Sequence, residues 1–178
     1  MHEDVTKLEV SAENRESERS VSAPPPRESS GLDAQGEATR SAHAFDTLLA
    51  QYRDLSDSQR QKGNLFEQLI RTYLLNDSQM ARQFARVYSW RDWPGRLGAP
   101  DTGIDLVAIE HKDMPDGGVV LPSTPAVAIQ CKFYEQGKTI QKAHLDSFLS
   151  DSGKEPFTRR IFVETTGVPW GVNAEAAV

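Results

Sequence analysis

The sequence has little cysteine and no long apolar run, and each absence excludes a class of protein. Its 178 residues include one cysteine, Cys131, which excludes an intramolecular disulfide and a cysteine-rich zinc site. No apolar stretch has the length that a membrane span requires, and the polar start MHEDVTKLEV does not have the pattern of a secretory signal. We therefore expect a cytoplasmic protein with no membrane partner.

Basic residues are fewer than acidic residues, and most of this difference lies in the N-terminal part of the chain. The formal net charge is −6, and residues 1–40 contain nine of the 26 acids against five of the 20 bases. The rest of the chain has 17 acids and 15 bases, so it is nearly neutral. The acidity of the whole chain is consequently weak evidence against a polyanionic partner.

Two parts of the chain differ in composition. Residues 1–41 are rich in serine, proline, glycine and charge, and their apolar residues are too scattered to form a buried face. We predict that this N-terminal segment is disordered. Residues 42–178 have the periodic apolar pattern of a folded domain, and the chain ends within the first turn of a helix predicted to begin at Asn173. We expect this domain to be truncated at its C-terminus.

The folded part is predicted to alternate helices and strands. Apolar residues at three-and-four spacing predict helices in AFDTLLAQYRDL and KGNLFEQLIRTYLLND. Strands are predicted at VYSW, GIDLVAIE (103–110), AVAIQCKFY and RRIFVETT, with a helix in TIQKAHLDSFLSDSGKE before the last strand. The second and third strands pair most simply as an antiparallel hairpin. The order αβββαβ predicts an α/β fold in which helices flank a central mixed sheet.

Polar residues converge at one end of the predicted hairpin. Gln130 and Lys132 share a face of the third strand because side chains alternate along a strand. In an antiparallel register Asp105 lies opposite them, and Gly103 permits a close backbone approach. Glu67 occupies a polar position of the long helix, within reach of the same end. A carboxylate, an amide oxygen and a backbone carbonyl together make an all-oxygen site that suits Mg²⁺.

This arrangement predicts metal-assisted hydrolysis at phosphorus. The metal lowers the pKa of a bound water and offsets negative charge, while Lys132 orients that water or stabilises the developing charge. Because Gln130 replaces a second strand carboxylate, we expect one metal ion rather than two. The predicted metal-binding set is Asp105, Gln130, Cys131 and Glu67, and the predicted catalytic set is Asp105, Gln130, Lys132 and Glu67.

The segments KGNLFEQLI, TGIDLVA and IQCKFY, together with residues 140–166, resemble the Mrr-like branch of the PD-(D/E)XK nuclease superfamily. The likeness extends over roughly residues 44–178 to the nuclease domain that begins the single-chain Type ISP restriction–modification enzymes. It implies a restriction-endonuclease-like αβββαβ core. It also places Asp105 at the first acidic residue of the motif. Gln130, Cys131 and Lys132 correspond to the (D/E)XK tripeptide, and Glu67 corresponds to the acidic residue on the helix.

Two positions of the chain do not match the superfamily motif in a simple way. Gln130 departs from the carboxylate of the wider superfamily but matches the Gln-x-Lys form of the Mrr-like branch. Asp101 follows a proline and is a rival for the first acid. We prefer Asp105 because it lies on the predicted strand, where its geometry relative to Lys132 is fixed.

The resemblance implies a Mg²⁺-dependent endonuclease that hydrolyses DNA phosphodiesters as the cleavage module of a restriction system. In Type ISP enzymes, helicase-like and methyltransferase domains work with such a module, so we expect partners of those kinds. One alternative is a catalytically inactive nuclease-like fold that serves as a DNA-binding or coupling module. Another is a nuclease for branched or damaged DNA.

Basic residues near this site are candidates for DNA binding, and each has a structural alternative. The loop SWRDWPGR (89–96) either contacts DNA or stacks on its bases, through Arg91, Arg96 and the two tryptophans. In the structural alternative, the tryptophans cover the sheet edge and the arginines pair with Asp92 and Asp101. Five bases around the last helix either bind phosphates or form a solvated face: Lys138, Lys142, Lys154, Arg159 and Arg160. Cys131 is predicted to be a core residue, and His144 to be packing or surface.

Overall fold

The computed structural model describes residues 5–9, 47–54, 58–100 and 102–177. The elements in chain order are β1 Val5–Glu9, α1 47–54, α2 Gln59–Asn76, α3 Met80–Gln83, β2 Phe84–Ser89, β3 Leu106–Glu110, β4 Ala126–Lys132, α4 Asp146–Ser152, β5 Phe157–Glu164 and α5 Val172–Glu175. Helix α1 is not part of the unit that contains the sheet, and it is described by itself. Among the helices in these ranges, none is long and apolar enough to cross a membrane.

The five strands form one mixed sheet in the order β1-β5-β4-β3-β2. Strand β3 pairs antiparallel with both β2 and β4, whereas β5 pairs parallel with both β4 and β1. A parallel pair needs a crossover connection, and α4 lies in the connection from β4 to β5. The predicted αβββαβ order and the β3–β4 hairpin are therefore confirmed.

Helices cover both faces of the sheet because the central strands are apolar on both sides. On one face α2 buries Phe66, Ile70 and Leu74, and the Phe66 ring lies 5.5 Å from that of Phe133, just beyond β4. On the other face Phe148 of α4 packs in a cluster with Phe162 of β5, and their ring centroids are 6.3 Å apart. This two-sided burial accounts for β4 being buried at every position from Ala126 to Cys131.

The element boundaries differ from the prediction at two places that border the site. Strand β3 begins at Leu106 instead of Gly103, whose positive φ of +80° does not continue a strand. The predicted long helix after β4 is reduced to a 3₁₀ turn, Lys142–His144, followed by α4. Gln141 and His144 form a capping box that begins the turn, and α4 ends before Gly153, as predicted.

The N-terminal segment corrects the prediction over five residues. Residues 5–9 were expected to be disordered, and they instead form β1 at the sheet edge, with Lys7 facing Phe162 in register. The Lys7 ammonium lies 5.2 Å from the Trp170 ring centroid, a cation–π contact. The other residues of 1–41 lie outside the described ranges, so the domain boundary at residues 41 and 42 stays a prediction.

Candidate active site

Asp105 immediately precedes β3, and hydrogen bonds to β4 and to Trp90, just after β2, fix its position. Its N–H donates to the carbonyl of Ile129 in β4 at 2.9 Å, and its carbonyl accepts the N–H of Trp90 at 2.8 Å. Its carboxylate Oδ2 accepts the backbone N–H of Cys131 at 2.7 Å. The carboxylate is therefore held at the residue between Gln130 and Lys132.

Gln130 is buried, with only 1% of its surface exposed, and its Oε1 has no hydrogen-bond partner. Buried polar atoms are nearly always paired, so an unpaired amide oxygen here calls for a physical reason. Gly103 lies directly against this amide. A Cβ at that position would be 3.2 Å from Gln130 Nε2 and 3.0 Å from Ser147 Oγ. The glycine therefore permits the close approach that the sequence predicts.

Three of the predicted site residues contribute to the electrostatic environment of the Cys131 thiol. Burial raises the pKa of this thiol well above its usual value, and the charges of Asp105 and Glu67 raise the pKa further, while that of Lys132 lowers it. Three charged groups from α2, the β3 start and the β4 end therefore lie within electrostatic range of one sulfur atom. The protonated, buried thiol is a core group, as predicted.

Lys132 ends β4 and is half-buried. Its ammonium makes no hydrogen bond or ion pair within the described ranges of the chain. An unpaired ammonium next to a fixed carboxylate can bind an anionic group such as a phosphate. Glu67 is also half-buried, one residue after the fully buried Phe66 of α2.

The donor atoms here fit a hard divalent cation. Mg²⁺ prefers oxygen ligands and usually keeps several waters. Asp105 offers a fixed carboxylate, and the unpaired Oε1 of Gln130 offers a neutral oxygen. Over the residues that the structure describes, no three or more His, Cys, Asp or Glu side chains form a metal-binding group. A cation here would be held by the Asp105 carboxylate and the Gln130 amide oxygen, with further oxygens from water or substrate.

The loop after β2 lies next to Asp105. Trp93 is buried, and its ring lies 5.4 Å from that of Trp90 and 5.2 Å from that of Phe157, so the tryptophans cover the sheet. Asp92 accepts a hydrogen bond from Ser89 Oγ at 2.6 Å.

The two arginines of that loop differ. Arg96 Nε donates to the Ala99 carbonyl at 2.6 Å. Arg91 is exposed and makes no hydrogen bond or ion pair in the described part of the chain. Asp101, its other predicted partner, lies outside those residues. Of the two arginines, Arg91 is therefore the one whose side chain makes no bond to another described residue.

The basic residues around α4 are mostly engaged within the protein. Lys142 forms an ion pair with Asp146, Lys154 Nζ lies 2.6 Å from Asp151 Oδ1, and Arg159 Nη1 lies 2.6 Å from Glu110 Oε1. Arg160 Nε donates a hydrogen bond to Ser152 Oγ at 2.9 Å. Lys138 is exposed, and its ammonium lies 3.7 Å from the Tyr134 ring centroid. Of these five bases, Lys138 is the one without an anionic or hydroxyl partner among the described residues.

His144 lies nearer to the site than its sequence context indicates. Its Nδ1 accepts the N–H of Gln141 at 2.9 Å, and its ring lies 5.5 Å from that of Tyr134. Partial burial and the charges of Lys138 and Lys132 lower the pKa of the imidazole. The ring is therefore a neutral neighbour of Lys132 at neutral pH.

The end of β5 contributes polar residues that were not among the predicted site residues. Glu164 is fully buried, and Thr165 Oγ1 accepts the N–H of Tyr134 at 3.0 Å and donates to the Tyr134 carbonyl at 2.8 Å. Thr165 thereby ties the chain leaving β4 to the end of β5. The signal in the sequence is a run of polar residues, ETT, directly after the apolar strand IFV.

The sheet order and the residues at its end define a restriction-endonuclease-like α/β domain. Residues 75–178, more than half of the chain, match the family described as "Restriction endonuclease". The chain belongs to this Mrr-like restriction endonuclease family, as the sequence resemblance predicts. The match covers Asp105, Gln130 and Lys132 and begins after Glu67.

No curated protein matches the chain. A solved structure described as "ATP-dependent Type ISP restriction-modification enzyme LlaBIII bound to DNA" is similar, with 28% identity and a TM-score of 0.48. The alignment covers 67% of this chain and 7% of that protein. The chain therefore spans only a small part of that enzyme's length.

Proposed function

We propose that this chain is a divalent-metal-dependent DNA endonuclease domain whose active site comprises Asp105, Gln130, Lys132 and Glu67. Family membership supports DNA as the substrate, and restriction endonucleases generally use a divalent metal. The observation that supports the position of the site is the hydrogen bond from Cys131 N–H to Asp105 Oδ2, which fixes a carboxylate at the Gln130–Lys132 end of β4.

The residues have distinct roles in this proposal. Asp105 and Gln130 would hold Mg²⁺, with Glu67 as a further oxygen donor and Cys131 contributing through its main chain only. When bound, the cation supplies a water of lowered pKa and offsets charge at phosphorus. Lys132 binds and stabilises the anionic phosphoryl oxygens through its ammonium. Because Gln130 is neutral, it adds no second strand carboxylate, which favours one metal ion over two.

DNA contacts outside the catalytic residues are proposed for Arg91 and Lys138. Both side chains are exposed and free of acid partners in the described part of the chain. Arg91 follows Trp90, whose N–H is bonded to the Asp105 carbonyl, so it lies on a loop adjoining the site. Arg96 and Lys142 were also predicted to bind DNA, but their internal bonds to Ala99 and Asp146 compete with phosphate.

A wider architecture is proposed on the sequence resemblance to Type ISP enzymes. We expect a helicase-like translocase and a methyltransferase to act with this domain in a restriction system, as fused domains or separate subunits. A chromosomal or invading DNA substrate also implies a cytoplasmic location. Sequencing the gene and its neighbours tests the architecture, because both partners carry recognisable ATPase and methyltransferase motifs.

Cleavage of plasmid DNA tests the catalytic proposal. With Mg²⁺, the wild-type protein is expected to nick supercoiled plasmid, whereas Asp105→Ala and Lys132→Ala should not. The control is Asp116→Ala, which removes an exposed carboxylate from the β3–β4 loop and should leave cleavage unchanged. Addition of EDTA should stop the wild-type reaction.

One observation favours the alternative of a catalytically inactive DNA-binding module. The described residues offer no cluster of three acidic, histidine or cysteine side chains for a metal. If the wild-type protein and both variants bind DNA equally and none nicks plasmid above the EDTA background, this alternative replaces the proposal.

A further inference from the structure

Glu164 is a buried carboxylate that the proposed reaction does not use. It is the last residue of β5 and has no exposed surface. One oxygen, Oε2, accepts the backbone N–H of Thr166, but the other, Oε1, is buried with no hydrogen-bond partner. A buried carboxylate oxygen without a partner is costly. The position therefore needs a cation or donor that can reach it.

The sheet places Lys132 beside Glu164, on the neighbouring strand. In the parallel β4–β5 pair, Lys132 and Glu164 are register partners, one step beyond Gln130 and Phe162. Register partners in a sheet point to the same face, and adjacent strands lie about 4.8 Å apart. Lys132 has no hydrogen bond or ion pair with any described residue, so its ammonium is an unpaired cation at the β4 position across from Glu164.

Asp105, just before β3, and Glu164, at the end of β5, therefore lie on the two sides of the Lys132 position in the sheet. Asp105 is held on the β3 side by the Cys131 N–H, and Glu164 lies on the β5 side. The Lys132 and Glu164 side chains make no ion pair in the structure. Pairing between them requires a different rotamer of the lysine. A lysine stem is flexible enough for that change.

We propose that Glu164 is a positioning residue for Lys132, an inference that rests on the proposed role of Lys132 in DNA hydrolysis. Before DNA binds, a change of rotamer lets the Lys132 ammonium reach Glu164 Oε1, and this pairing keeps the lysine side chain on the face that carries Gln130. When DNA binds, the ammonium moves from Glu164 to the phosphate. Glu164 thus keeps the lysine near the reacting group without touching the substrate.

Thermal unfolding of the DNA-free protein tests the pairing without using cleavage. Lys132→Met is expected to lower the Tm by about 5 °C, because it leaves the Glu164 carboxylate buried without a counter-ion. Adding Glu164→Gln to Lys132→Met should restore at least half of that loss. In the control, Lys112→Met combined with Glu164→Gln should give additive shifts, since Lys112 pairs with Glu110 elsewhere. Additive shifts for Lys132→Met and Glu164→Gln would overturn the inference.

Single-turnover cleavage tests the positioning role. Glu164→Gln is expected to lower the rate about tenfold, with DNA affinity unchanged, as for other residues that act through a neighbour. The same substitution should have no further effect in the Lys132→Met background. A Glu164→Gln rate equal to wild type would refute positioning. If the wild-type protein cuts no DNA, the proposed function fails, and the thermal measurements alone decide the pairing.

Discussion

Substitution of Gly103 by alanine tests how the site is assembled. The glycine has a φ of +80°, and an added Cβ would lie 3.0 Å from Ser147 Oγ and 3.2 Å from Gln130 Nε2. Gly117, in the β3–β4 loop, has a φ of +82° with no atom within 4 Å of the same added Cβ. The two variants therefore share the backbone strain and differ in the contacts with Ser147 and Gln130.

The expected stabilities follow from these distances. A left-handed conformation costs a non-glycine residue about 1–2 kcal/mol, which is the full expected effect of Gly117→Ala. Overpacking adds about 1–3 kcal/mol for Gly103→Ala. For a chain of this length, each 1 kcal/mol lowers the Tm by about 2–4 °C. We therefore expect the Tm of Gly103→Ala to lie at least 2 °C below that of Gly117→Ala.

Thermal unfolding and plasmid cleavage, measured on both variants, separate the two effects. Gly103→Ala should also lose cleavage, because Gln130 must shift, while Gly117→Ala should cut at the wild-type rate at temperatures where both are folded. Ser147→Ala in the Gly103→Ala background should recover part of the stability by removing the 3.0 Å contact. Equal Tm values and equal cleavage rates for the two glycine variants would show that the contact with Gln130 does not position the site.

Three further predictions concern groups around the site. Arg91→Ala should reduce the magnitude of the slope of log binding constant against log salt concentration by about 1. Lys154→Ala, which removes a lysine paired with Asp151, should leave the slope unchanged. An unchanged slope for Arg91→Ala would contradict a phosphate contact. Burial raises the pKa of the Cys131 thiol in the folded protein. The unfolded thiol ionises above about pH 8.5. The free energy of unfolding should therefore decline as pH rises from there towards the raised pKa of the folded thiol. Urea unfolding should show a smaller alkaline decline for Cys131→Ala, and an identical decline argues against the shift. Thr165→Val should speed hydrogen exchange at the Tyr134 amide about tenfold, and unchanged exchange would mean that Thr165 does not hold this segment.

The central hairpin could be predicted from sequence because its signals are local. Alternation along AVAIQCK places Gln130 and Lys132 on one face and Cys131 on the other, and the antiparallel register brings Asp105 to them. Apolar spacing likewise identifies Phe66, Ile70 and Leu74 of α2 as buried. These patterns depend on neighbours a few residues apart, so the chain alone carries the information.

Features that depend on distant partners could not be predicted. Strand β1 is a short segment that pairs with β5, more than 150 residues later in the sequence, and its own composition gives no sign of that partner. Glu164 ends an apolar strand, but its burial and its register with Lys132 follow from the order of the strands in the sheet. The capping box of Gln141 and His144 splits what the apolar spacing alone indicates as one helix. The roles of the site residues remain predictions that only activity can test.

The most direct test of the proposed active site compares the wild-type protein with Lys132→Met at saturating DNA. DNA affinity, measured in EDTA, should agree within about twofold for the two proteins, because Arg91 and Lys138 are proposed to contact the DNA as well. The cleavage rate with Mg²⁺ should fall by about 100-fold or more, as when one transition-state donor is removed. Equal cleavage by both proteins would contradict a catalytic role for Lys132.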